Sequence, residues 1–247
     1  MSSSLSIRGL MDLPERRNAL ERFYEEIEIL ETAQGGKRKL SDCSGQTGWP
    51  RLGVYLFFED GEFREDGVTS RVTRVGTHAL RPSMTTLWNR LSQHKGNVGG
   101  SMPGGGNHRG SIFRLHVGTA MLANGEWPVS IQANWGNGSS ADVAIRKEEY
   151  PLEVAVSRYI GNMPFLWLGV DDEPSFRSDR GVVETGAISL LSNRNRPAID
   201  PPSTSWLGHM ADRAAVRESG LWDVNHVDDL PTSKFLDSFS QYIKRVI

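Results

Sequence analysis

Gly53-Val54-Tyr55-Leu56-Phe57-Phe58 is an apolar, aromatic run that stops at Glu59-Asp60-Gly61. A run this short, closed by turn-forming residues, reads as a buried strand entering a turn. Arg71 to Gly76 (Arg-Val-Thr-Arg-Val-Gly) reads as its hairpin partner, and Phe165 to Val170 as a third buried strand. Between the second and third strands, Thr85 or Thr86 is placed to cap a helix. Leu87, Trp88 and Leu91 face inward on that helix, while Arg90 and His94, four apart, project together from its other side.

Upstream, Leu20, Phe23, Tyr24, Ile27 and Leu30 recur at helical spacing, with Asp12 and Pro14 before them and Gly35-Gly36 after, so the pattern predicts an amphipathic helix over 12–34. Residues 35–49 read as a linker and 96–107 as a flexible Gly-rich loop. Ser111 to Val117 stays open between helix and strand, and 127–140 reads as a loop. A helix is expected over 150–161 with Pro151 in its first turn, another over 180–193 around Glu184, and a last one near 235–246. The fold class expected is α/β (α+β): a small mixed three-stranded sheet flanked by helices, with a long insertion at about 96–149 and helical extensions at both ends. In domain terms, 1–49 is an acidic amphipathic helix and linker, 50–200 the core, and 201–247 an extension packing on it.

Cys43 is the single cysteine, which excludes an internal disulfide and a Cys-based zinc cluster and fits a reducing compartment. Met1 to Leu10 holds no apolar run of signal-peptide length, and no stretch reaches the length of a membrane span, so a cytoplasmic protein without a membrane partner is expected. The net charge of -2 hides a divided chain. Gly67 to Gly125 contains no Asp or Glu, yet carries Arg71, Arg74, Arg81, Arg90, Lys95, Arg109 and Arg114 with His78, His94, His108 and His116. The acids crowd 12–31 instead. Such a division points to a polyanion-binding face, with a merely solvated basic face as the alternative.

The order of these features resembles the GIY-YIG nuclease family, and is closest in feel to its restriction-endonuclease-like branch. Gly53-Val54-Tyr55 stands at the first signature tripeptide and Arg74-Val75-Gly76 at the second, where Arg74 replaces the usual Tyr. Arg90 and His94 match the helix pair, Glu184 the metal-ligand Glu, and Asn193 (or Asn195) the Asn that follows. The Ser219 to His226 stretch, Ser-Gly-Leu-Trp-Asp-Val-Asn-His, is similar to tail sequence in type II restriction enzymes of that family. The resemblance implies a metal-dependent endonuclease acting on DNA through Tyr55, Arg90, His94, Glu184 and Asn193, with RNA not excluded. It also implies Mg²⁺ on Glu184, for which Mn²⁺ can substitute, and a homodimer if both strands are cut. Arg74, His78, Lys95, Arg109 and Arg114 are the expected nucleic-acid contacts. A catalytically silent nucleic-acid-binding module of the same fold is the alternative.

The residue types suit that chemistry on physical grounds. Phosphodiester hydrolysis builds negative charge on the phosphate oxygens, so a site needs a cation, a phosphate-gripping donor and a proton acceptor. Glu184 offers a hard oxygen suited to Mg²⁺, Arg90 a planar permanent charge, and Tyr55 a hydroxyl able to serve as base. His94, ordinarily titrating near ~6.5, suits either proton role.

Overall fold

The structure is a computed structural model that describes residues 11–247, so the reading of Met1 to Leu10 lies outside the described residues. Helix α1 (Leu13–Gln34) starts at Asp12, whose side chain accepts from Glu15 N while the Glu15 carboxylate accepts from Asp12 N, a reciprocal cap for two free donors. It stops at Gly35, whose φ of 71° is the left-handed geometry that glycine reaches without a Cβ clash. Strands β1 (Arg38–Lys39), β2 (Gly53–Phe63) and β3 (Ser70–Gly76) follow, then helices α2 (Leu87–Lys95), α3 (Ile112–Asn124), α4 (Val129–Asn134) and α5 (Val143–Asn162). Strand β4 (Pro164–Gly169) and helices α6 (Asp179–Leu191), α7 (Ala214–Ser219) and α8 (Lys234–Ile243) complete the order.

The sheet separates two apolar layers. Its strand order is β1-β4-β2-β3, and all pairs are antiparallel. Because side chains alternate along a strand, Val54, Leu56 and Phe58 of β2 face α1, α6 and α8, whereas Tyr55 and Phe57 face α2, α3 and α5. Each face is therefore closed by helices, as a sheet buried on both sides requires. Arg74 lies opposite Phe57 and Val72 opposite Phe58, leaving Thr73 as an extra residue in β3. That bulge keeps Val72 and Val75 in one layer while Arg74 turns toward the other.

The free edge of β3 is covered by the chain near its C-terminal end. Trp222 N donates to Thr73 O at 2.8 Å and Val75 N to the Asp223 carboxylate at 3.0 Å, which satisfies groups an edge strand would otherwise expose. The Trp222 indole then reaches across the layer to Glu59 at 2.7 Å, where it joins the Trp206 indole at 2.9 Å and the Tyr159 hydroxyl. Burial raises the Glu59 carboxyl above the usual carboxylate range despite these three donors.

The α/β class stands, and several details of the sequence reading change. The sheet is antiparallel throughout and has a fourth strand, because Arg38–Lys39, inside the stretch read as a linker, pairs with Phe165 and Pro164. Helix α5 begins at Val143, capped by Asp142, so Pro151 sits in its interior and not in its first turn. The 127–140 loop contains helix α4. The open choice at 111–117 resolves as helix, since the Ser111 hydroxyl accepts from Arg114 N and opens α3. Among the described residues no helix is long and apolar enough to cross a membrane.

Candidate active site

Tyr55 and Gly76 are direct partners across β2 and β3, and the tyrosine ring lies over the glycine. A Cβ at position 76 would stand 2.4 Å from the Tyr55 hydroxyl, so any side chain there displaces the ring. Gly53 is constrained in the same way, since a Cβ would meet the Leu168 carbonyl at 2.4 Å where β2 and β4 approach. The two signature glycines thus have separate steric causes.

Helix α2 is opened by Thr86, whose hydroxyl accepts from Asn89 N at 3.2 Å while the Asn89 side chain accepts from Thr86 N. Leu87, Leu91 and His94 form its buried stripe. His94 therefore stands on the inward face, not on a polar side shared with Arg90 as the spacing suggested. Its Nε2 lies 2.9 Å from the Tyr55 hydroxyl and its Nδ1 lies 2.8 Å from the Ser111 hydroxyl. Tyr55, His94 and Ser111 are all 1% exposed or less. Burial, with Arg90, Arg74 and Arg114 nearby, holds the imidazole well below its ordinary 6.5, so it is neutral. Arg90 is half-buried, donates to Gln93 at 3.0 Å, and lines a cleft of about 250 Å³ with Gly110, Ser111, Ile112 and Gly136.

Glu184 approaches from α6 around the β3 end, where one carboxylate oxygen accepts from Thr77 N at 2.9 Å. Thr77 is the residue after Gly76, so Glu184 is anchored beside the strand end that supports Tyr55. Burial first and Asp223 second raise its carboxyl above the usual range, with Thr77 and Arg74 opposing. Its second oxygen accepts no protein hydrogen bond among the described residues, and the residue is half-buried. A hard, unsaturated carboxylate oxygen at a partly open site fits Mg²⁺, which needs few protein ligands and keeps several waters. Among the described residues no group of three or more His, Cys, Asp or Glu surrounds a metal-sized space.

Arg74, in place of the second tyrosine, donates to the Trp222 carbonyl at 2.6 Å and pairs with Asp223 at 3.0 Å. Burial opposes its charge, but Asp223, Tyr55 and Glu184 outweigh that and keep its pKa raised. Asp223 is itself pushed up by burial, with Arg74 and the Val75 amide countering. Asp223, Ser111 and Arg180 are the contributors that sequence spacing did not single out. Arg180 is fully buried, pairs with Asp172 and donates to the His78 carbonyl at 2.6 Å, which fixes the turn after β3 where Ala79 has a φ of 53°. The tail stretch Ser219 to His226 held the only sequence hint of Asp223.

Asn193 lies apart from this group in its contacts. Its side-chain oxygen accepts from Arg16 at 3.1 Å and from Ile199 N at 3.0 Å, which shapes the turn after α6. Asn195, the other option, has a φ of 58° and donates to Asp228.

Of the expected nucleic-acid contacts, Arg74, His78, Arg109 and Arg114 are turned into the fold, while Lys95 is half-buried. Arg74 and Arg114 are buried, and the Arg109 side chain is 6% exposed in an ion pair with Glu149 at 2.6 Å. Arg114 pairs with Glu153 and donates to the His94 carbonyl at 2.8 Å. His78 is buried with both ring nitrogens unpartnered, and burial beside Arg180 lowers it to about 4, so it is neutral. Lys95 donates to the Ser41 carbonyl at 2.9 Å and to that of Cys43. Arg71, Arg74, Arg109 and Arg114 of the acid-free segment find their counter-charges elsewhere in the chain, whereas Arg81, Arg90 and Lys95 pair with no carboxylate among the described residues.

A small antiparallel sheet closed by helices on both faces is consistent with the fold of a GIY-YIG domain. The family model described as the GIY-YIG domain matches residues 14–247, and the chain belongs to that family. Searches of curated proteins and of solved structures found no match.

Proposed function

We propose that the chain is a Mg²⁺-dependent endonuclease that hydrolyses phosphodiester bonds in DNA. The observation that carries this reading is the Tyr55–His94 hydrogen bond of 2.9 Å beside an anchored but unsaturated Glu184, in a chain of a nuclease family. Glu184 would hold the ion, which when bound supplies Lewis-acid stabilisation of charge on the phosphate. Arg90, at the mouth of its cleft, grips a nonbridging oxygen with its planar fork. The ionised oxygen of Tyr55 takes a proton from water as the water oxygen attacks phosphorus; the 3′ oxygen departs and takes a proton from solvent. The products are a 5′-phosphate and a 3′-hydroxyl. Asn193 serves this reading indirectly, by shaping the chain beyond α6. With one site per chain, cutting both strands calls for a homodimer, and the working compartment is the cytoplasm.

One observation favours a second reading, the catalytically silent nucleic-acid-binding module: Tyr55 and His94 are both fully buried. Incubation of plasmid with purified protein and Mg²⁺ separates the two. Nicking by the wild type that falls by about 10²–10⁴-fold in Tyr55→Phe, the range for loss of a general base, and is lost in Glu184→Ala supports the endonuclease. Equal degradation by wild type and Glu184→Ala would sink it, and binding without nicking would favour the silent module.

A further inference from the structure

Tyr55, His94 and Ser111 form one buried hydrogen-bond chain, and only certain arrangements of its protons are compatible with a working base. The imidazole is flanked by Arg90, Arg74 and Arg114, and burial and these charges keep it neutral, so it carries a single N–H. If that hydrogen sits on Nδ1, the Nε2 lone pair faces the Tyr55 oxygen. This suits a neutral phenol, but it sets lone pair against charge once the oxygen ionises. If the hydrogen sits on Nε2, it donates to the Tyr55 oxygen, and Nδ1 must accept from Ser111.

Ser111 is placed to supply that proton. Its oxygen accepts from Arg114 N at 3.3 Å as the cap of α3, and a helix N-terminus surrounds a hydroxyl with donors. The one acceptor within hydrogen-bond distance of its O–H among the described residues is His94 Nδ1, 2.8 Å away. With Tyr55 ionised, every link is then satisfied: Ser111 O–H to Nδ1, Nε2–H to the Tyr55 oxygen, and Arg114 N–H to the serine oxygen.

We propose that Ser111 sets the tautomer of His94, its hydroxyl donating to Nδ1 so that Nε2–H donates to the ionised Tyr55 oxygen. Ser111 is thus a positioning residue, and His94 a hydrogen-bond donor to the base and not its proton acceptor. The inference rests on Tyr55 acting as the base.

Nitrogen-15 NMR of the full chain with labelled histidine reads the tautomer directly, because protonated and unprotonated ring nitrogens are well separated in shift. The His94 signals are assigned by their loss in His94→Gln. The expected result, in the Mg²⁺ buffer used for the plasmid assay where the base must be ionised to work, is a neutral, Nε2-protonated ring, preserved in Ser111→Thr. Ser111→Asp keeps a helix cap but offers only acceptors, so it should move the proton to Nδ1 and lower kcat by about 10²-fold with little change in KM. A wild-type ring that is Nδ1-protonated or charged in that buffer overturns the proposal, and that spectrum alone decides it if Ser111→Asp fails to fold. An unchanged tautomer in a folded Ser111→Asp overturns it as well. An Nε2-protonated ring in a protein that cleaves no DNA leaves the tautomer assignment standing while the endonuclease reading falls.

Discussion

Gly76 and Glu184 show what a single side chain can be asked to do at this site. At Gly76 the question is volume: a methyl group there collides with the Tyr55 hydroxyl and ring carbons. Gly76→Ala is therefore expected to cost about 1–3 kcal/mol by overpacking, and to displace the hydroxyl from His94. Denaturant unfolding together with the Tyr55–His94 geometry in a solved variant structure checks this; an unperturbed stability would show that the ring can slide. At Glu184 the question is charge, because a carboxyl whose value is raised in the fold is held ionised at a cost near neutral pH. Glu184→Gln should melt a few degrees above the wild type in chelator while losing cleavage, a stability gain at a functional position. A lower melting temperature would mean that the Thr77 hydrogen bond outweighs the burial of charge.

The elements differ in how openly their sequence announces them. Helix α1, the two strands of the β2–β3 hairpin and α2 were legible because each has a local signature: Asp12 with Glu15 and Gly35, the hydrophobic run from Gly53 to Phe58, and Thr86 before Leu87. The turn read at Glu59-Asp60-Gly61 was misplaced, since β2 continues through those residues to Phe63 and turns only after it. The β-bulge at Thr73 was not legible, since it is defined by which residues face each other across strands and leaves no mark on the run itself. Strand β1 was hidden for a similar reason: a two-residue pairing with β4 is a tertiary event. At the candidate site, Tyr55, Arg90, His94 and Glu184 were singled out through a family pattern, whereas Ser111 and Asp223 join them through contacts between segments far apart in the chain. The edge cover of β3 depends on one side chain above others. Trp222 is fully buried and ties that segment to Glu59, so Trp222→Ala should cost about 3–5 kcal/mol. A loss below about 1 kcal/mol, measured by denaturant titration, would show that the segment is held by its backbone bonds alone.

For the whole molecule, the response to acid follows from opposed sets of buried groups. Burial lowers His78 and His116 to about 4, Arg180 adding to the effect at His78, and holds His94 well below 6.5. These folded values lie below the unfolded one, so the unfolded chain binds more protons, and the stability they contribute above about pH 6.5 is lost as pH falls toward 4. Glu59, Glu184 and Asp223 are raised and act in the other sense: their ionisation disfavours the fold, and protonation as pH falls through their raised values restores part of the loss. The melting temperature should therefore fall on acidification below about pH 6.5, and His116→Phe should shrink the fall. Melting curves of the variant and wild type with the same pH dependence would refute this.

The internal pairing of the basic segment has one further consequence. Affinity for duplex DNA falls with salt according to how many phosphates the protein's cations neutralise, and about 6–10 contacts lose ~10³–10⁵ in affinity between 50 and 200 mM salt. Arg71, Arg74, Arg109 and Arg114 have already spent their charge on Glu62, Asp223, Glu149 and Glu153. These cations have few counterions left to release, so the salt dependence of DNA binding should be shallower than the count of basic residues in 67–125 suggests, and what remains should fall to Arg81, Arg90 and Lys95.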